Sequence, residues 1–273
     1  MVLIPFAKRI WLIAQFELVR LFLTRTGVLS VSAFLLVWAL LLYYPISSAV
    51  EWLSTPAFED IAERLFGAMG LRELLTWPVA ELVIYWMLAV YSFVLFAIVF
   101  SCDQTCGDRA RGTLRFLSLR STRSEIVFGR FLGQLVIMAL LVIFTLLATM
   151  ILVLVRAPSL LLIALPLCID IFIQLLILIL PFVALMSLVN SVSLSAKRCL
   201  IYTILFFTLW PIFVASLAYF FAPASYLYLL TPGVQIEDVI NPANTTFVTY
   251  LIPISQTIGF LALATWMHQR SSL

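Results

Sequence analysis

The sequence predicts an all-α polytopic membrane protein, with an N-terminal interfacial elbow helix, six transmembrane helices and both termini in the cytoplasm. Three observations lead there. The first is composition: 64% of the 273 residues are hydrophobic and 11% charged, with mean hydropathy +1.16, whereas soluble domains carry about 25% charged residues. The second is run length. The apolar residues collect in continuous stretches of about 20, long enough for a helix to cross a bilayer, and not in the alternating ten-residue segments of a membrane barrel. The third is the placement of basic residues. With six runs taken as spans, intervals 1–26, 102–130, 190–198 and 268–273 share one side, and they hold every Lys and Arg except Arg64, Arg72 and Arg156. Basic loops stay inside, so that side is the cytoplasm. The polar gaps reach only about 30 residues, below the size of a soluble domain, and residues 1–273 read as a single transmembrane domain.

Residues 5–25 mix apolar with charged side chains. At helical spacing Arg9, Glu17, Arg20 and Thr24 share a stripe, while Trp11, Ala14, Leu18, Leu21 and Phe22 fall opposite. That pattern suits a helix lying in the membrane plane, the alternative being a frayed start of the first span. The charges at Lys8, Arg9, Glu17, Arg20 and Arg25 interrupt the apolar core that a cleavable signal needs. Span 1 is predicted at Gly27–Tyr44. A short amphipathic helix follows from Thr55, a candidate cap, with Phe58, Ile61, Leu65 and Met69 as its apolar stripe. Span 2 is predicted at Pro78–Ser101 and span 3 at Phe131–Val155. Residues 159–189 are too long an apolar run for one upright span. Pro166 is therefore taken as the start of span 4, ending at Val189, and Pro181 as a kink. Span 5 is placed at Cys199–Phe221 and span 6 at Phe247–Met267, separated by a Pro-, Tyr- and Asn-containing stretch, 222–246.

Catalytic patterns are scarce. The chain has one histidine, His268, and lacks the His-Glu-x-x-His, Gly-x-Ser-x-Gly and phosphate-loop motifs. The four cysteines lie in or beside apolar runs. Cys102 and Cys106 could share a helix face, but without histidines nearby they read as reduced core thiols and not as metal ligands. Asn244-Thr245-Thr246 formally matches a glycosylation acceptor, a triplet common by chance. Inside the spans Asp170 is the one clear ionised residue, with Glu81 near the start of span 2. A charge in the bilayer costs at least ~2.5 kcal/mol. Asp170 is thus either a residue of a substrate or ion path or, about one turn from the outer boundary, an interfacial group. No proton relay is built from it alone, and no nucleic-acid partner is expected.

The richest interval is 102–130. A charged turn at Asp108, Arg109 and Arg111 leads into Gly112, Thr113 and Leu114, and then Arg115, Phe116, Leu117, Leu119 and Arg120 alternate basic with apolar. A short helix there could set its apolar side on a protein groove. Equally, the arginines could rest on anionic lipid headgroups. This interval resembles the hallmark of the type-2 permease family of ATP-binding-cassette transporters. Asp103 matches that family's aspartate after span 2, Asp108-Arg109 its acidic–Arg pair, and Gly112-Thr113-Leu114 its Gly-Thr-Leu. Thr122-Arg123 stands where Ser-Arg is usual, and Ile126 to Arg130 matches the start of span 3 with Arg for Lys. Arg120 departs from the family's proline. Ile13 to Glu17 resembles the elbow helix, with Glu17 at its glutamate and Arg20 one turn on.

The resemblance implies a permease subunit of the inner membrane that has no catalytic site and binds no cofactor directly, ATP and Mg belonging to a separate ATPase subunit. It also implies that the ATPase docks on a coupling helix within Asp108–Leu119, that two permease subunits pair, most simply as a homodimer, and that lipid surrounds them. Relatives mostly export lipids, glycans, peptides or drugs, and 222–246 resembles their partly re-entrant outer hairpin. The competing expectations are a membrane scaffold using the same handle without moving a solute, and an intramembrane enzyme, which the missing catalytic groups disfavour. The residues do not specify a substrate.

Overall fold

The structure, a computed structural model, describes residues 5–48, 77–236 and 247–270. The amphipathic helix expected from Thr55, the Asn244 triplet and residues 237–246 of the 222–246 stretch lie outside those residues. Among the described residues every regular element is helical. In chain order these are α1 (Phe6–Leu23), α2 (Arg25–Leu41), α3 (Ala80–Ser101), α4 (Cys106–Ala110), α5 (Thr113–Ser118), α6 (Arg123–Arg156), α7 (Leu161–Val192), α8 (Ala196–Phe220) and α9 (Phe247–Arg270). A π-turn at Leu42–Ile46 ends α2, and a 3₁₀ segment at Ala222–Leu230 follows α8. Six helices, α2, α3 and α6–α9, are long and apolar enough to cross a membrane.

Helix α7 is central: α9, α6, α3 and α8 all pack against it. It is continuous over 32 residues and contains both Pro166 and Pro181. Pro166 is therefore an interior residue of the helix and does not start it, a correction to the sequence reading. A proline removes one amide donor but leaves the rest of the ladder intact, and in an apolar run every remaining backbone group favours helix over an unpaired break. At 1.5 Å per residue α7 is roughly 48 Å long, more than the ~30 Å apolar slab. Likewise α6 begins at Arg123, eight residues before the predicted span. Thr122 Oγ1 accepts from the Glu125 amide at 3.3 Å while Glu125 Oε2 accepts from the Thr122 amide at 2.7 Å, a reciprocal cap that starts a helix in polar sequence.

Where α2 meets α3 the buried core is aromatic. Phe34, Trp38, Tyr85, Trp86 and Phe93 are all at most 1% exposed, with ring centroids 5.3–5.9 Å apart for Trp38–Phe93, Trp38–Tyr85 and Phe34–Phe93. The Tyr85 hydroxyl meets Thr145 Oγ1 at 2.9 Å, satisfying a polar tip that would otherwise be costly to bury. At the opposite end from the 102–130 interval, Arg156 Nε pairs with Glu81 Oε1 at 2.6 Å. Glu81 thus has a specific partner, on the last residue of α6. Helices α2 and α8 are peripheral; only 11% of the most apolar window of each is buried.

Candidate functional site

The site is built from the bottom of α3 upward. After Ser101 the chain turns through Asp103, whose Oδ1 accepts from the Gly107 amide at 2.7 Å and so caps the start of α4. Its Oδ2 pairs with Arg20 Nη2 of α1 at 2.8 Å. Helix α4 lasts five residues and ends at Gly112, whose φ of 72° is left-handed. That conformation is natural for glycine and strained for other residues, and it redirects the chain into α5. Asp108 ties the turn together: Thr113 Oγ1 donates to its Oδ1 and its carbonyl, each at 3.1 Å, and Arg111 Nη2 reaches Oδ1 at 3.4 Å.

One buried cation anchors this turn to the spans. Arg130, on the second turn of α6, is 2% exposed. It pairs with Glu17 of α1 on one side and Asp108 of α4 on the other, and its guanidinium lies 5.6 Å from the Phe16 ring centroid. A planar guanidinium has enough donors to serve two carboxylates at once. Glu17 is 3% exposed and also faces Arg20 at 3.9 Å. Helix α1 can come this close because α6 offers Gly129 and Gly133 to it. A Cβ at 133 would lie 2.8 Å from Glu17 Cβ, and one at 129 would lie 2.7 Å from Ile13 Cβ.

Arg109 fastens the turn to the far helices. Its Nη1 donates to the carbonyls of Ser191 and Ser193 at 3.0 and 3.3 Å, and Nη2 approaches His268 Nδ1 at 3.5 Å. Arg123 donates to the His268 and Gln269 carbonyls, both at 2.7 Å, filling acceptors left open at the end of α9. The Cys106 thiol donates to Asn190 Oδ1 at 3.0 Å, and Asn190 Nδ2 donates to the Ser101 carbonyl at 2.8 Å. The four cysteines are free thiols. Among the described residues no group of three or more His, Cys, Asp or Glu could hold a metal ion.

Two faces of α5 therefore differ. Leu114 is 1% exposed and packs with Ile13 and Ile126. Phe116 and Leu119, by contrast, are 73% and 81% exposed. Arg115 lies on α5, and Arg111 and Arg120 are exposed beside it. Of the residues singled out from sequence, Asp108, Arg109, Arg111, Gly112, Thr113 and Leu114 come together with Glu17 and Arg20. Asp170 does not. It lies exposed on the first third of α7, with no ion pair among the described residues, and Asn190 beneath the turn is roughly 30 Å further along the same helix. Sequence reasoning missed Arg130 as the hub, Asn190 under α4 and the Glu81–Arg156 pair. The last could have been found, since both are lone charges at the same end of neighbouring spans.

Helix α1 turns an acid inward and large apolar side chains outward. Its polar Glu17 faces inward with Ile13, Ala14 and Leu21, and Trp11, Phe16, Val19 and Phe22 point outward. Outward aromatics suit a lipid boundary.

Six apolar spans of this length, with a braced polar turn at one end, define a multi-pass α-helical membrane protein. Residues 24–273 match the profile described as ABC-2 family transporter protein, and the chain belongs to that family of ABC transporter permeases. No curated protein matches the chain.

Proposed function

We propose that the chain is the permease subunit of an ATP-driven exporter, energised by a separate ATPase subunit that docks from the cytosol on α4 and α5. The observation that carries this reading is the exposure of Phe116 and Leu119 on a turn whose other face is ion-paired to the spans. Two large apolar side chains on a braced element form a small hot spot, rimmed by Arg111 and Arg120. A push on α5 would reach α1 and α6 through Asp108–Arg130–Glu17, and the ends of α7 and α9 through Arg109. Packed helices move as bodies and not as soft springs, so displacement at the turn would tilt the spans.

In this reading the termini and the 102–130 interval face the cytoplasm of an inner membrane. α1 is the elbow lying at its surface, and 222–246 is the outer hairpin. ATP and Mg are bound by the ATPase, and no catalytic step falls on this chain. A second permease subunit, a homodimer in the simplest case, faces the first across lightly buried spans, with lipid around both. Asp170 is a candidate residue of the solute path.

The test is co-purification with the ATPase subunit, followed by ATP hydrolysis in proteoliposomes. Phe116→Asp and Leu119→Asp are each expected to weaken the complex about 30-fold, because hot-spot residues contribute about 2 kcal/mol or more, while membrane insertion is unchanged. Undiminished co-purification of the double variant would place docking elsewhere. A complex whose hydrolysis ignores every solute offered would mean a scaffold and not a transporter. Leu114→Asp is not an equivalent test: it puts a charge between Ile13 and Ile126 and is expected to loosen α1 itself.

A further inference from the structure

A cleft of about 720 Å³ opens between α1 and the α4–α5 turn. One wall is apolar, from Phe16, Val19 and Leu23. Leu23 and Thr24 also line a second groove of about 460 Å³, bounded along α2 by Val28, Leu29 and Ser32. Thr24 is extended, with φ −96° and ψ 147°, where α1 ends and α2 begins. The result is a largely apolar chamber that carries a cluster of charged side chains and borders an apolar groove along a membrane-spanning helix.

The charges in this space do not cancel. Arg20, Arg111 and Arg130 line the chamber and Arg25 lines the groove. Asp103 and Asp108 oppose them, and Glu17 neutralises Arg130 from behind. Four cations thus meet three acids. Arg20 is matched by Asp103, and Arg130 lies between Glu17 and Asp108. The surplus falls on Arg111, whose side chain is 63% exposed with only a 3.4 Å contact to Asp108, and on exposed Arg25, which pairs with no acid among the described residues.

We propose that this two-part cleft binds one anionic glycerophospholipid. Its phosphodiester sits in the chamber under the pull of Arg111 and Arg25, and an acyl chain lies over Val28 and Leu29. One phosphodiester supplies the single negative charge that the cleft lacks. A zwitterionic headgroup would leave the surplus uncompensated, and a free phosphate would leave the groove along α2 unfilled. The outward Phe16 and Val19 meet the lipid at the level of its glycerol. The site requires a membrane protein but no ATPase, so it stands or falls apart from the docking reading.

The experiment uses the full chain alone in detergent micelles, titrated with phosphatidylglycerol, phosphatidylcholine or glycerol phosphate and read by native mass spectrometry. One phosphatidylglycerol per chain is expected to bind, about tenfold or more tighter than phosphatidylcholine. Each near-surface arginine contributes a factor of about five, so Arg25→Gln with Arg111→Gln is expected to weaken it about 25-fold. Ser32→Trp, which fills the groove without changing charge, is expected to weaken it at least about fivefold, and it decides the matter if the arginine pair unfolds the chain. Arg198→Gln, an exposed arginine outside the cleft, is expected to change nothing. Equal binding of the two lipids, an equal loss on Arg198→Gln, no loss on Ser32→Trp, or displacement by glycerol phosphate would each overturn the proposal.

Discussion

Arg130→Met is expected to destabilise the folded chain by about 3–5 kcal/mol, the usual effect of removing one partner from a buried ion pair. The reason is what remains. Glu17 and the largely buried Asp108 would both be left facing an apolar side chain, and neither has a second full-strength cation: Arg20 is 3.9 Å from Glu17 and Arg111 is 3.4 Å from Asp108. Chemical unfolding in micelles, followed by tryptophan fluorescence, measures the effect. Arg130→Lys should recover only part of the loss, because an ammonium is a point charge and cannot bridge two carboxylates as a fork does. The triple change Glu17→Gln, Asp108→Asn, Arg130→Met should restore most of the stability, since neutral groups cost less to bury than an orphaned charge. Wild-type stability in Arg130→Met alone would mean that the three charges lie close together without holding one another.

That result bears on transmission as much as on folding. Arg130 is the only side chain that touches both α1 and α4 through ion pairs among the described residues. Without it the turn would still be fastened to α7 and α9 by Arg109, and its remaining ties to α1 would be the Arg20–Asp103 pair and the packing of Leu114 on Ile13. In the proposed complex, a variant that inserts, keeps the ATPase and loses solute-coupled hydrolysis would mark this link as the path of the thrust.

The spans were legible because hydrocarbon selects on composition: about 20 apolar residues report burial in lipid whatever their partners. What such runs do not report is where a helix continues into water. The first two turns of α6 hold Arg123, Glu125 and Arg130, so hydropathy starts that span at Phe131, although Thr122-x-x-Glu125 is a readable cap. In α7 the opposite error arises, since Pro166 looks like a boundary and is carried inside a continuous helix. The hub was illegible for a different reason. Glu17 and Arg130 are over a hundred positions apart, and their pairing depends on the register of α1 against α6. A helical wheel locates Glu17 on a stripe but cannot say whether that stripe faces water or protein. Here Glu17 faces protein beside the buried Ile13, Ala14 and Leu21, while Thr24 of the same stripe is exposed. The family profile begins at residue 24, so α1 lies outside the matched range even though it supplies one of the carboxylates that fix the turn.

That register is fixed by the glycines, which yields the second large effect. Gly133→Leu is expected to displace α1 and cost about 3 kcal/mol, at the upper end of overpacking, because the added carbons meet Glu17 Cγ at 2.9 Å and Ala14 Cα at 3.2 Å. Backbone cannot rotate away as a flexible side chain would, so α1 must move as a whole and draw Glu17 off Arg130. Small residues spaced four apart are the usual means of bringing two helices this close, and Gly129 would add the same obstruction against Ile13 and the Ile10 carbonyl. Ala14, 0% exposed, reports the movement. As Ala14→Cys it should label slowly in the wild-type background and about tenfold faster or more with Gly133→Leu, as expected when a local opening becomes easier by 1.4 kcal/mol. Gly259→Leu on α9, where an added Cβ meets nothing within 4 Å, should leave the rate unchanged. If both leucine variants label alike, α1 is held by its charges and not by the glycine seam, and Arg130 alone sets its register.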